Sequence, residues 1–134
     1  MNYWIIPANP NLYRLEDILN ERNTIDWRQH NNFEIGDIVY IYISRPKSKI
    51  MYKMEVIAVK IKAKESIADR IYWINPSNFD ISINHNRFFR MVFIAENVTN
   101  RLILDELLEH GLKGAPQGAL KVKEPLLSYL SSIL

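Results

Sequence analysis

The chain has 134 residues, 48% of them hydrophobic, and a net charge of +2, which is typical of one globular domain with a sizeable core. It contains no cysteine, which excludes disulfides and thiolate metal sites. No run of roughly 18 apolar residues is present, and the first residues lack the pattern of a secretory signal peptide. We therefore expect a cytoplasmic protein.

The positive charge is concentrated in residues 45–64. That stretch holds seven basic residues and one acidic residue, whereas residues 1–44 hold three basic and six acidic residues. A local field of one sign favours a polyanionic partner. The alternative is a solvated, lysine-rich strand whose charges prevent edge-to-edge aggregation.

The first third of the chain predicts one strand and one helix. Residues 3–8 are apolar and predict a strand, which Pro7 shortens or places at an edge of the sheet. The spacing of leucine and isoleucine side chains predicts a helix over residues 12–20. Residues 21–36 are polar, carry Trp27, and are not assigned to any element.

The second strand is predicted over residues 38–44, directly after a Gly36-Asp37 turn. Alternate side chains of a strand point to opposite faces of the sheet. One face of this strand is aliphatic, whereas the other carries Tyr40, Tyr42 and Ser44. The basic segment "RPKSK" follows at once, so the polar face is predicted to meet either a covering helix or a cleft.

Two longer strands are predicted over residues 49–63 and 87–96. In the first of them the apolar side chains change from even to odd positions. Such a change of phase inside one strand indicates a β-bulge near residues 57–58, a feature that bends strands into barrels. Residues 66–86, which lie between the two strands, are predicted to be irregular.

The C-terminal part of the chain predicts two short helices. Thr99 or Asn100 is suited to cap a helix over residues 101–110, and a glycine-rich loop precedes a last helix over residues 124–133. Strands outnumber helices, and the strands are long and bent. The sequence therefore predicts one α+β domain built on a small, mostly antiparallel barrel.

No group of residues indicates catalysis. The three histidines lie far apart and lack partners at metal-ligand spacing, and the glycines form neither a phosphate loop nor a nucleophile elbow. Asp37 and Glu55 resemble the start of a nuclease motif, but Ile57 stands where its lysine would be. We predict no catalytic residue, no metal and no cofactor.

Aromatic side chains near the basic stretch are the strongest functional signal. Trp4 lies in an apolar strand and is predicted to be part of the core. Trp27 lies in a polar segment, so a ligand contact and a lid over the core both stay open, and Trp73 is similar. Cations hold phosphates and aromatic rings stack on bases, which suits a nucleic-acid partner.

Four segments, in their order and spacing, carry a resemblance to a known family. They are "YWIIPANPNLY", "IDWRQHNNFEIGDIVYIYISRPKSKIMYKMEVIAV", "DRIYW" and "GLKGAPQGALKV". Together they resemble the EVE domain of the PUA-like superfamily, over roughly residues 3–130. The resemblance implies a curved β-barrel with flanking short helices and a central pocket. Residues 1–134 would form a single such domain, either whole or excised from a larger effector.

EVE domains are regarded as readers of modified bases in DNA or RNA, and they are related to YTH domains, which hold a methylated base in an aromatic cage. They are often fused to nuclease or NTPase domains in modification-dependent restriction systems. The resemblance implies a non-enzymatic reader that flips a base, 5-methylcytosine or a relative in DNA, into an aromatic pocket. The implied pocket consists of Trp27, Tyr42, Ser44, Trp73 and Asn9. The implied contacts to the nucleic-acid backbone come from Arg45, Lys47, Lys49, Lys113 and Gln117.

Two other classes of function stay open. Sister PUA-like folds include enzymes that act on RNA or nucleosides, so an RNA-binding or RNA-processing protein is the first alternative. The second alternative is a protein–protein module whose aromatic patch meets a partner. Low sensitivity of binding to salt would favour the second alternative, because phosphate contacts make nucleic-acid binding depend on salt.

Overall fold

The structure is a computed structural model that describes residues 1–11, 14–29, 31–62 and 87–134. That part of the chain forms six strands and three short helices. They are β1 (Tyr3–Ala8), α1 (Leu15–Glu21), β2 (Thr24–Arg28), β3 (Ile38–Ile43), β4 (Lys49–Ile61), β5 (Phe88–Glu96), α2 (Leu104–Glu109), β6 (Leu120–Lys121) and α3 (Leu126–Ile133).

The six strands form one curved sheet in the order β2-β5-β4-β3-β1-β6. Strands β1 and β3 are parallel, and every other neighbouring pair is antiparallel. Within the described ranges the sheet is open, since β2 and β6 are its two ends. The predicted α+β class and the mostly antiparallel, curved sheet are confirmed.

The bend predicted inside β4 is also confirmed. The register between β4 and β5 shifts between Val56 and Ala58 and again before Ile61. Lys60, in the second of these intervals, has a positive φ of 56°. Extra residues on one strand bend the ladder and increase its twist. The strand reaches Ile61, and residue 63, the predicted end, lies outside the described ranges.

Apolar side chains cover both faces of the sheet and form two separate cores. The first core consists of Trp4, Ile6, Ala8, Leu15, Ile18, Ile25, Phe33, Val39, Ile41, Ile43, Met51, Tyr52, Met54, Val56, Phe89 and Met91. The second core consists of Ile5, Ile38, Tyr40, Tyr42, Ile50, Leu102, Leu107, Leu112, Val122, Leu126 and Leu130. Helix α1 therefore packs on one side of the sheet, and helices α2 and α3 pack on the other.

Strand β3 lies between the two cores, and all six of its residues are buried. Its aliphatic side chains enter the first core, whereas Tyr40 and Tyr42 enter the second. Burial raises the pKa of the Tyr40 phenol, and its neighbour Ser131 lies on α3. The phenols that precede the basic segment therefore face covering helices and not an open cleft.

Strand β2 is the element that the sequence prediction omitted. Residues 21–36 were not assigned to any element, but Thr24–Arg28 form a strand that pairs antiparallel with β5. Ile25 and Trp27 alternate with polar side chains, so the period of two is present. Five residues with two apolar side chains are too few for the pattern to stand out against a polar background.

The three predicted helices are present but shorter than expected, and none of them is long and apolar enough to cross a membrane. Thr99 does not cap α2 as predicted. Its Oγ1 accepts a hydrogen bond from the Arg101 amide at 3.2 Å, and its own amide donates to Asn97 Oδ1 at 2.9 Å. Thr99 and Asn97 instead shape the turn that follows β5.

Candidate functional site

The parallel pairing of β1 and β3 brings two of the predicted site residues to one end of the sheet. Ala8 and Ile43 are register partners, and the Ser44 amide donates to the Ala8 carbonyl at 3.0 Å. Asn9 and Ser44 therefore follow the last residues of neighbouring strands. Since the next residues carry three of the predicted cations, we call Asn9, Ser44, Arg45, Lys47 and Lys49 the strand-end rim.

The polar side chains of the strand-end rim face solvent. Asn9 is exposed, and its Oδ1 accepts a hydrogen bond from the Asn11 amide at 2.9 Å, which forms an Asx turn. Ser44 is half-buried. No described residue accepts a hydrogen bond from the Asn9 side-chain nitrogen, so this amide can donate to a ligand.

The cations of the strand-end rim differ in their partners. Lys47 forms an ion pair with Glu16 on α1, and both side chains are largely exposed, at 38% and 49%. Arg45 is exposed. Lys49 stands opposite Ile43 at the start of β4, on the side of the first core. The ion pair links the turn after β3 to helix α1.

The rest of the basic stretch lies elsewhere. Lys53 donates to the Leu134 carbonyl at 2.9 Å, on the side of the second core. Lys60 and Lys62 are exposed at the other end of β4. The cations of residues 45–62 therefore do not form one continuous surface, although they are close together in the sequence.

Strand β6 directs the glycine-rich loop toward the strand-end rim. It pairs antiparallel with the middle of β1, so the residues that precede it run in the direction of Asn9. Ala119, the last residue of the loop, packs against the first core. Lys113 and Gln117 are exposed in this loop. The chain direction thus agrees with their predicted place beside the rim.

Trp27 lies at the other end of the sheet. Its register partner, Phe89, lies on the part of β5 that pairs with the end of β4. Ser44 follows the residue of β3 that pairs with the first residue of β4, at the opposite end of that strand. Trp27 is half-buried against the first core, and Tyr42 is 2% exposed in the second core. The structure thus brings Asn9 and Ser44 together but not Trp27 or Tyr42 with them. Trp73 lies outside the described ranges.

Of the two roles left open for Trp27, the structure shows the contact with the core. Trp27 packs against the first core, in which Phe33 stacks on Phe89 with ring centroids 4.1 Å apart. Trp4 meets Phe33 at 4.5 Å and donates its indole N–H to Asp37 at 2.9 Å. Trp4 is therefore a core residue, as predicted, and Trp27 borders the same core.

Two polar side chains near the strand-end rim were missed by the sequence prediction. Tyr52 stands opposite Ile41 on β3 and opposite Glu96 on β5, so all three lie on one face of the sheet. Tyr52 is 2% exposed, and Phe93 meets its ring edge-on with centroids 6.4 Å apart. In the described part of the chain its hydroxyl has no hydrogen-bond partner.

The sequence pattern placed Tyr52 on the same face as Met54 and Val56, which is confirmed, but it also placed Ile50 there, which is wrong. Ile50 and Tyr52 share a phase in the sequence, but the register between β3 and β4 shifts after Ile41. Ile50 consequently enters the second core and Tyr52 the first. The feature of the sequence that could have identified Tyr52 as a site residue is its hydroxyl, a polar group among side chains that are otherwise apolar in that phase of the strand.

The phenol of Tyr52 is held in its neutral form. Burial, and after it the nearby Glu96 carboxylate, raises the pKa of Tyr52 to about 12. Tyr52 can therefore donate a hydrogen bond at any physiological pH. Nowhere in the described ranges do three or more histidine, aspartate or glutamate side chains come together in a group that could hold a metal ion.

No protein-family model matches the chain, and no curated protein matches its sequence. Solved structures match it over nearly its whole length. The ASCH protein from Zymomonas mobilis has a TM-score of 0.67 and 12% identity, with 98% of this chain and 95% of that chain covered. A hypothetical protein from Leishmania major has a TM-score of 0.64, 18% identity, and coverage of 98% and 93%.

Human THYN1 matches with a TM-score of 0.63 and 15% identity, over 98% of this chain and 96% of that chain. Its structure was solved in complex with DNA that contains 5-methylcytosine. At such low identities the likeness establishes the fold. The chain has the PUA-like fold that the sequence resemblance predicted.

Proposed function

We propose that this chain is a non-enzymatic reader of a modified base, with 5-methylcytosine in DNA as the first candidate. The extruded base is received at the strand-end rim. The observation that carries the proposal is the fold shared with human THYN1 over 98% of the chain. Because one fold can host many functions, the chemistry of the strand-end rim must also suit the ligand.

The strand-end rim offers the groups that a nucleotide needs. Arg45 and Lys49 are suited to bind phosphates, which position a nucleic acid without reading its sequence. Asn9 and Ser44 offer donors and acceptors for the sugar or the base. The exposed pair of Lys47 with Glu16 is worth about 0–1 kcal/mol, so Lys47 can exchange this partner for a phosphate at little cost.

The energetics of base recognition explain why polar groups must lie beside the pocket. Extruding a base from a duplex costs a few kcal/mol, and stacking on an aromatic ring returns about 1–3 kcal/mol. Burying one added methyl group contributes only about 0.8 kcal/mol. Phosphate contacts therefore supply affinity, and hydrogen bonds to the base edge supply most of the selectivity. Trp73 stays the predicted stacking partner.

We also propose a fused or associated nuclease or NTPase as a partner, in a modification-dependent restriction system. A reader that only binds requires a second activity to act on the DNA that it marks. This part of the proposal follows from the sequence resemblance and from the lack of a predicted catalytic residue.

A panel of fluorescent oligonucleotides tests the proposed function. The same sequence is prepared as single-stranded DNA, duplex DNA and RNA, with cytosine, 5-methylcytosine, 5-hydroxymethylcytosine or N6-methyladenine at one position. We expect the 5-methylcytosine DNA to bind tightest by fluorescence anisotropy at a fixed salt concentration. Equal affinity for modified and unmodified DNA would refute the proposal, and a preference for RNA would move the chain to the RNA-binding alternative.

A further inference from the structure

Tyr52 and Glu96 lie side by side, on the face of the sheet to which Lys49 of the strand-end rim belongs. They are directly opposite each other on β4 and β5. Tyr52 is three residues from Lys49 along β4, which corresponds to about 10 Å of strand at roughly 3.3 Å per residue. A nucleotide spans such a distance from its phosphate to the far edge of its base.

Both side chains have free polar groups. The Tyr52 ring is almost completely buried, and no described residue shares a hydrogen bond with its hydroxyl. A hydroxyl without a partner in the protein is available to donate a hydrogen bond to a ligand. Glu96 is exposed and forms neither a hydrogen bond nor an ion pair in the described part of the chain. A ligand with an acceptor beside a donor can satisfy both groups.

The two groups are chemically complementary to one pair of bases. The neutral phenol donates a hydrogen bond, and the carboxylate accepts one. Cytosine and 5-methylcytosine present an amino donor at position 4 beside an unprotonated acceptor at ring nitrogen 3. Thymine presents the reverse, a carbonyl acceptor at position 4 beside a protonated ring nitrogen. A carboxylate next to the thymine carbonyl would place two acceptors against each other.

A reader of 5-methylcytosine has to solve this problem. Thymine carries the same methyl group on carbon 5, so a pocket that recognises the methyl group alone accepts both bases. Selection between them must come from position 4 and ring nitrogen 3. In the described ranges, Glu96 and Tyr52 are a free acceptor and a free donor that lie beside each other near the strand-end rim.

We propose that Glu96 and Tyr52 read the Watson–Crick edge of the extruded base and restrict the site to cytosine-type bases. Glu96 accepts a hydrogen bond from the amino group at position 4, and Tyr52 donates one to ring nitrogen 3. This inference rests on the proposed function, since it names the base that the same site selects. The edge-on contact with Phe93 holds the Tyr52 ring in place.

The test measures affinity for 5-methylcytosine, cytosine and thymine at one position of the same oligonucleotide. Glu96→Gln keeps the shape of the side chain but adds an N–H donor that thymine can accept. We expect the ratio of 5-methylcytosine to thymine affinity to fall about tenfold, within the range for one base-edge contact. Glu55→Gln is the matched control, because Glu55 stands opposite Ile38, whose side chain enters the second core.

Tyr52→Phe is the second variant. It removes only the hydroxyl and keeps the ring that packs in the first core, so the melting temperature should not fall. We expect it to weaken binding of cytosine and 5-methylcytosine alike by about five- to tenfold, by loss of one hydrogen bond to the base.

The outcomes separate this inference from the proposed function. If the wild-type chain binds 5-methylcytosine no better than cytosine, the proposed function fails and the inference falls with it. If the wild-type chain prefers 5-methylcytosine but Glu96→Gln keeps the full discrimination against thymine, the function stands and the inference is overturned. An equal effect of Glu55→Gln would also overturn it, because net charge alone would then explain the change.

Discussion

At the scale of single residues, Asp37 joins the start of β1 to the turn before β3. Its buried carboxylate accepts hydrogen bonds from the Asn2 amide and the Trp4 indole, each at 2.9 Å, and from the Glu34 amide at 3.0 Å. Burial alone would raise the pKa of Asp37, but these hydrogen bonds hold it below the usual value. The folded chain therefore stabilises the charged carboxylate.

Asp37→Asn should destabilise the fold, because the asparagine N–H₂ group would face N–H donors. We expect the free energy of unfolding at pH 7, measured by urea denaturation, to fall by about 1–3 kcal/mol. Because the pKa of Asp37 is lower in the folded chain than its unfolded value near 3.8, the charged carboxylate stabilises the fold at any pH above that value. This stabilisation is lost as the pH falls through the lower folded pKa. The difference between wild type and variant should accordingly shrink in acid, and a difference that is small at pH 7 would contradict this role.

At the scale of elements, cations lie on or beside the two ends of β4, and these two ends allow matched variants to be compared. Arg45 and Lys49 lie at the strand-end rim, whereas Lys60 and Lys62 lie at the far end. Replacing both rim cations by glutamine should weaken binding of modified and unmodified DNA alike. It should also reduce the slope of log affinity against log salt by about 1.8 on duplex DNA, since each lost contact contributes about 0.9.

Replacement of Lys60 and Lys62 by glutamine changes the net charge equally and is the control. It should leave the salt slope almost unchanged when measured by fluorescence anisotropy between low and moderate salt. If the two double variants behave alike, the positive charge acts as a general field and the strand-end rim is not the phosphate site.

The elements also show which features of the fold can be predicted from the sequence. The bend in β4 was predictable because a change of apolar phase within a strand has one simple cause. Strand β2 was not, since Ile25 and Trp27 are its only apolar side chains. The orientation of Ile50 was not predictable either, because it depends on a register shift between β3 and β4 that leaves no mark in the sequence.

At the scale of the whole molecule, the candidate site combines segments from both ends of the chain. Asn9 follows β1, Ser44 follows β3, and Gln117 lies in the loop that precedes β6. Resemblance predicted that these residues share a site, and the parallel β1–β3 pair gives the physical reason for Asn9 and Ser44. Trp27 and Tyr42 were assigned to the same site, but the sheet places one at its far end and the other in the second core.

The packing of the helices on the sheet also explains why one side of the molecule is suited to a ligand. Helices α2 and α3 cover the second core, so the phenols of β3 are closed off from solvent. Helix α1 covers the first core, and its Glu16 pairs with Lys47 of the strand-end rim. The free polar groups of Tyr52 and Glu96 lie on this same side.

Mapping of backbone amide chemical shifts by NMR, during titration with a 5-methylcytosine oligonucleotide, tests the central claim most directly. The account predicts that the largest changes occur at Asn9, at residues 44–49, around Gln117, and at Tyr52 and Glu96. The unmethylated oligonucleotide should cause smaller changes at the same residues at equal concentration, because it binds more weakly. Changes confined to β2 around Trp27, or to α2 and α3, would contradict the assignment of the site to the strand-end rim.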